Sequence, residues 1–178
     1  MENKINDDYY GFKEIDMHGY RVAETCWRCS NALQQDFHKS YNVFKAARYH
    51  DIGKIFIPKN VLNKTSKLNE NERKIIKKHT LFSYNLMIER GYDKKICHIA
   101  LYHHENYDGT GYYGLKGKEI PLESRIIKIA DTYDALISER SYKRAYKRKE
   151  ALDIMLQNKN VYDKDILKIF IENVIKFK

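Results

Sequence analysis

Histidines and carboxylates recur along this chain at spacings that suit metal ions. His50-Asp51 and His103-His104 are adjacent pairs, His79 stands between them, Asp131 follows, and upstream Glu14 and His18 are four residues apart. Imidazole nitrogens and carboxylate oxygens together make the ligand set of catalytic divalent-metal clusters, and the chemistry such clusters do is hydrolysis, above all of phosphate esters. Each signal has an ordinary reading when taken alone. Glu14 and His18 could be a surface pair on one helix face, His79 a helix cap, and His50-Asp51 a chance dipeptide. Asp131 sits among Ile126, Ile127, Ile129, Ala130, Ala135 and Leu136, where an unpaired carboxylate is costly, and it could instead pair with a lysine. Their joint occurrence in one small chain, with only His38 and His98 left unassigned, favours metal.

The elements that must position these residues read as helices almost throughout, interrupted by only two prolines and eight glycines. Val22, Cys26, Cys29 and Leu33 recur at helical spacing and predict a helix over Glu14 to Phe37, on which Glu14 and His18 reach a single ion. A second helix is expected from Tyr41 to His50. It ends at Gly53, and Ile55-Phe56-Ile57-Pro58 follows as an extended or turn connection. Asp51 has two oxygens and so suits a bridge between two ions, while His50 holds one. Asn69-Glu70-Asn71-Glu72 reads as a capping box. It opens a helix from Glu70 to about Lys78, with another from Leu81 to Arg90 ended by Gly91. Asp93 is expected to cap a helix that carries Ile96, Ile99, Ala100 and the paired His103 and His104, about 100° apart around it. Asp108-Gly109-Thr110-Gly111-Tyr112-Tyr113-Gly114 is a loop by turn chemistry. A further helix spans Leu122 to Ser138 and carries Asp131, and two more occupy Lys149 to Lys176. No run alternates with a period of two. The expected fold class is all-α: a compact bundle of about seven helices, a single domain over 1–178.

Composition narrows the class further. With 178 residues, 43% of them hydrophobic and 32% charged, the chain is long enough to bury a sizeable core. No apolar run approaches the ~20 residues a membrane span needs, and the amino terminus opens polar. A cytoplasmic protein with no membrane partner is expected. The net charge of +9 attracts anionic partners, yet the lysines are spread along the chain. Fifteen tyrosines are likewise scattered, so no nucleic-acid polymer is expected as a partner. The odd count of three cysteines argues against a disulfide framework, and Cys26-Trp27-Arg28-Cys29 reads as two small residues on one helix face.

A longer string of motifs carries a family resemblance. His50-Asp51-Ile52-Gly53-Lys54, Ile57-Pro58, Leu62-Asn63-Lys64, Lys77-Lys78-His79 and His103-His104-Glu105 come first, followed by Asp108-Gly109-Thr110-Gly111-Tyr112 and Gly114-Leu115-Lys116-Gly117. Ile120-Pro121-Leu122, Ile129-Ala130-Asp131-Thr132-Tyr133-Asp134-Ala135-Leu136 and Arg140-Ser141-Tyr142-Lys143 complete the series. Over residues 14 to 157 this order resembles the HD-GYP branch of the HD phosphohydrolase superfamily. The resemblance implies a catalytic domain of the all-helical HD type that hydrolyses cyclic di-GMP, or a related cyclic dinucleotide, to linear pGpG or GMP. It implies a centre of two or three divalent ions, iron or manganese, held by His50, Asp51, His79, His103, His104 and Asp131, with Glu14 and His18 added in the three-metal subgroup. Asp51 would bridge the ions, and Lys54 would offset charge on the phosphoryl group that an activated water attacks. Lys54, Arg140 and Lys143 match positions that contact substrate phosphates. The resemblance also implies that the loop residues Asp108, Gly109, Gly111 and Tyr112 contact substrate or a partner protein.

The chain departs from the family pattern where Tyr113 replaces a proline, where Thr80 follows His79 in place of a proline, and where Ser141 replaces another. No sensory domain is expected, which leaves control to metal, expression or a separate regulatory protein partner. Two other readings stay open at this point. One is a general HD nucleotide phosphohydrolase; the other is an adaptor that binds a cyclic dinucleotide without cleaving it.

Overall fold

A computed structural model describes residues 3–139 and 144–175, with side chains described from Ile15 onward. Arg140 and Lys143, the two predicted phosphate contacts at the far end of the chain, lie outside the described residues. So does the side chain of Glu14.

Helices follow one another as α1 (Asn3–Ala32), α2 (Phe37–Tyr49), α3 (Lys59–Leu62), α4 (Glu70–Glu89), α5 (Lys94–Leu101), α6 (Leu122–Ile137), α7 (Arg148–Gln157) and α8 (Lys164–Ile169). A 3₁₀ turn, Ile52–Phe56, joins α2 to α3, and a π turn, Phe170–Val174, continues α8. Among the described residues there is no strand, so the fold is all-α.

The core lies where α1, α2, α5 and α6 meet, closed from one side by α7 and α8. The predicted apolar positions of α1, Val22, Cys26 and Cys29, are completely buried there. They meet Val43, Ala46 and Ala47 of α2 and Ile126, Ile127 and Ile129 of α6. Each large aliphatic side chain so buried contributes roughly 1.5–3 kcal/mol, which makes this packing the main support of the site built on it. The two cysteines behave as small core residues. Burial pushes the Cys29 thiol up to about 12 and Cys26 well above its usual range, so neither is a ready metal ligand.

Several boundaries differ from the sequence reading. α1 starts well before Glu14 and stops at Ala32, and Asp36 caps α2 by accepting from the Lys39 amide, so α2 begins at Phe37 and not at Tyr41. The two helices expected over Glu70 to Arg90 are a single helix, opened by the predicted Asn69/Glu72 capping box and ended at Gly91, whose φ is +77°. No glycine or proline stands between Lys78 and Leu81 to break it. Finally, α5 ends at Leu101, so His103 and His104 sit in the turn after it rather than on its surface.

Two glycines set the separations that matter. A Cβ on Gly19 would lie 2.4 Å from the Arg48 carbonyl oxygen, so α1 approaches the end of α2 backbone to backbone beside His18. A Cβ on Gly53 would lie 2.3 Å from the His79 carbonyl oxygen and 2.4 Å from the Ser83 nitrogen. The 3₁₀ turn therefore lies flush on α4, where the Gly53 amide donates to Ser83 Oγ at 2.8 Å. Gly53 was read from sequence as a helix terminator; its role is this close approach.

Candidate metal centre

Five segments deliver the predicted ligands to one place: α1 brings His18, the end of α2 brings His50 and Asp51, α4 brings His79, the turn after α5 brings His103 and His104, and α6 brings Asp131. Two clusters form there and share one residue. In the first, Asp51, His79, His103 and His104 each offer an atom within 4.8 Å of the others; in the second, His18, His50 and Asp51 do the same. The shared carboxylate is divided between them. Asp51 Oδ1 is 3.2 Å from His79 Nε2 and 3.8 Å from His103 Nε2, while Oδ2 is 3.6 Å from His18 Nε2 and 3.4 Å from His50 Nε2. Asp131 joins the second cluster, with Oδ1 3.1 Å from His18 Nε2 and 3.8 Å from His50 Nε2. Seven of the eight predicted ligands thus converge, and the eighth, Glu14, is placed only by its backbone, one turn earlier on α1.

The imidazoles are oriented from behind. Nδ1 of His50, His79 and His103 donates to the carbonyl three residues back, of Ala47, Ile76 and Ala100, at 2.7, 2.6 and 2.6 Å. A carbonyl can only accept, so Nδ1 carries the proton in each ring and Nε2 is turned inward, the tautomer a metal ligand needs. His18 achieves the same by a different route: its Nδ1 donates to Asp134 Oδ2 at 2.7 Å. Asp134 is itself gripped by Arg21, at 2.8 and 2.9 Å.

The centre itself is under-satisfied. His18 Nε2, His50 Nε2 and Asp51 Oδ1 are buried and make no hydrogen bond, although buried polar atoms ordinarily find partners. Three unpaired ligand atoms, turned into the two adjoining clusters, fit divalent cations better than any arrangement of protein donors.

Protons replace such cations in the metal-free protein. Burial works against charge at every position, but Lys54 and His50 beside Asp51 hold its carboxyl well below the usual range, and His18 and His50 do so for Asp131. In return Asp51 and Asp131 overcome burial at His50 and raise it to about 10. His103 and His104, buried and close to other imidazoles, are pushed well below the usual histidine range and are neutral.

Around the clusters, the Lys54 ammonium forms a close ion pair with Asp51 Oδ2, so the predicted phosphate contact lies at the centre's edge. The glycine-rich loop is partly wrapped onto the site. Tyr112 packs its ring against His104 with centroids 4.7 Å apart, whereas Asp108 turns back to accept from the Thr110 amide and hydroxyl, and Gly109, at φ +87°, completes that turn. Gly111 presses on the Glu105 backbone, where a Cβ would come within 2.5 Å of Cα.

Two residues escaped the sequence reading. Asp134 orients His18, and its only linear signal is its place three residues after Asp131. Glu105 is buried, and its two oxygens accept from the Tyr113 and Leu115 amides at 2.7 Å each, which ties the loop to the histidine turn. Nothing in its position after His103-His104 announced that role.

The chain is similar to known proteins. A family model described as "HD domain" matches residues 2–166. The cyclic di-GMP phosphodiesterase response regulator RpfG of Xanthomonas campestris is 47% identical over 110 residues, covering 60% of this chain and 29% of that protein. The 3'3'-cGAMP-specific phosphodiesterase 1 of Vibrio cholerae is 38% identical over 140 residues, covering 78% of this chain and 32% of that protein. The chain therefore spans about a third of the length of these relatives. Among solved structures, Bd1817, a HDG"Y"P protein from Bdellovibrio bacteriovorus, superposes with a TM-score of 0.73 at 21% identity, over 88% of this chain and 51% of that one. At that identity the likeness is one of fold.

Proposed function

The chain belongs to the HD domain family, and from that premise we propose that it is a metal-dependent phosphodiesterase that hydrolyses cyclic di-GMP, or a related cyclic dinucleotide such as 3'3'-cGAMP, to a linear dinucleotide or mononucleotides. The observation that carries this reading is the division of Asp51 between two clusters of inward-facing Nε2 atoms. A carboxylate with one oxygen toward each cluster is what a pair of adjacent cations requires.

Two divalent ions bound there, iron or manganese, would supply Lewis acidity at the scissile phosphate and a water ionised near neutral pH. The chain's own residues do the rest. His79, His103 and His104 hold the first position, and His18, His50 and Asp131 the second. Asp51 serves both. Glu14, one turn before His18, is the residue that would extend the centre to a third ion. Lys54 keeps Asp51 ionised and presents an ammonium to the phosphoryl oxygens as charge grows on them. Arg140 and Lys143 are assigned to the distal phosphate, Arg140 suiting bidentate contact. Tyr112 forms the wall beside His104. Among the described residues no helix is long and apolar enough to cross a membrane, and we assign the reaction to the cytoplasm as a single catalytic domain.

Purified protein loaded with manganese or iron should cleave cyclic di-GMP or 3'3'-cGAMP, with linear product resolved by chromatography. Asp51→Ala should lower turnover by more than about 100-fold, since even outer partners of a metal site cost 10–100-fold. Absence of metal-dependent cleavage of either dinucleotide would overturn the assignment.

A further inference from the structure

Thr80 and Tyr113, distant in sequence, meet beside the metal centre. Thr80 Oγ1 donates to the Lys77 carbonyl at 3.0 Å and lies 2.8 Å from the Tyr113 hydroxyl. Because the threonine proton is committed to that carbonyl, the tyrosine O–H donates to Thr80. Lys77 completes the contact, its ammonium 5.1 Å from the centroid of Tyr113 and 5.5 Å from that of Tyr112. On the other side the Tyr113 ring meets Tyr102 edge to face at 5.7 Å. One turn of α4 thus supplies both His79, which faces Asp51, and the residues that hold the loop.

We propose that the Thr80–Tyr113 hydrogen bond, with Lys77 over both rings, is a latch that fixes the glycine-rich loop so that Tyr112 stays seated against His104 as the substrate-side wall of the centre. Two anchors then hold the loop at separate points. Glu105 takes the Tyr113 and Leu115 amides from inside, and Thr80 takes the Tyr113 hydroxyl from α4. Tyr112 stands next to both anchors but has neither, so its position is inherited from Tyr113. Thr80 is completely buried while Tyr113 is 42% exposed, so this anchor is the one that solvent can compete for. Thr80 and Tyr113 are positioning residues: they act through Tyr112 and touch neither the clusters nor Lys54.

The kinetic part of the test rests on the phosphodiesterase assignment, and a second part does not. Thr80→Val and Tyr113→Phe each remove one hydroxyl and keep shape and ring contacts, and Thr80→Ser restores the acceptor. In the metal-loaded full chain, Thr80→Val and Tyr113→Phe are expected to raise KM by about fivefold, the worth of one net hydrogen bond. They should leave kcat and bound metal unchanged. The double variant should be no worse than either single one, because the two hydroxyls make one bond, and Thr80→Ser should behave as the parent. Independently of any substrate, hydrogen exchange at the Tyr113 and Leu115 amides should quicken by about fivefold in Thr80→Val and Tyr113→Phe and not in Thr80→Ser. Unchanged exchange in both variants, or effects that multiply in the double variant, would overturn the latch. If the parent cleaves no cyclic dinucleotide, the functional assignment fails while the exchange rates still decide for or against the latch.

Discussion

Asp134 has no oxygen left for an ion, since one accepts from His18 and Arg21 and the other from Arg21. Its effect on the centre must pass through the ring it orients. Asp134→Ala should therefore weaken metal binding by about 10–100-fold without removing any ligand, as loss of such outer partners does elsewhere; calorimetric titration with manganese measures it, and an unchanged affinity would count against the role. Binding should also release protons. His50 is raised to about 10 by Asp51 and Asp131, so near neutral pH an incoming cation must displace its proton. The sign follows: as pH climbs toward 10 that competition fades and affinity rises, and in acid it falls. Heats of binding should depend on the ionisation enthalpy of the buffer, and identical heats in two such buffers would contradict the displacement. The ligand types at His50, Asp51, His79 and Asp131 were legible in the sequence because few other uses explain so many imidazoles and carboxylates together. Asp134 and Glu105 were not legible, because an orienting hydrogen bond is defined by what lies across the fold.

At the level of elements, the separation between the 3₁₀ turn and α4 governs whether Asp51 reaches His79. Gly53→Ala would put a methyl group onto the His79 carbonyl and the Ser83 amide, both backbone atoms that cannot swing aside. We expect it to cost about 1–3 kcal/mol of stability, the usual penalty for overpacking, and to lower manganese affinity by moving Asp51 off His79. Thermal melting and titration test both parts; a variant as stable and as tight as the parent would refute the close-approach argument. Helix periodicity was enough to read α1 and α6 as helices, and the Asn69/Glu72 box gave the start of α4 but not its continuity past Lys78. The sequence reading failed where local signals were silent. Between Leu101 and His104 no glycine or proline marks the end of α5, and what ends it is the turn that aims both histidines inward, with the Glu105 amide bonded to the Tyr102 carbonyl at 3.0 Å. The contact between Thr80 and Tyr113 was equally hidden, although both residues depart from the family pattern.

Across the whole molecule, the seven converging side chains come from five separate segments packed around the apolar core. Cations bound among them act as crosslinks on the native state alone. At a metal concentration 100 times Kd the fold should gain about 2.7 kcal/mol, which appears as a rise in melting temperature that chelation reverses. A melting temperature indifferent to manganese and to chelator would argue that the clusters do not bind it. Asp131 enters the chain long after His18, with α2, α4 and α5 made in between. The position that includes Asp131 cannot be completed on a nascent chain that has not yet reached α6. Completion of the second position would therefore come late in synthesis, after most of the fold has been made.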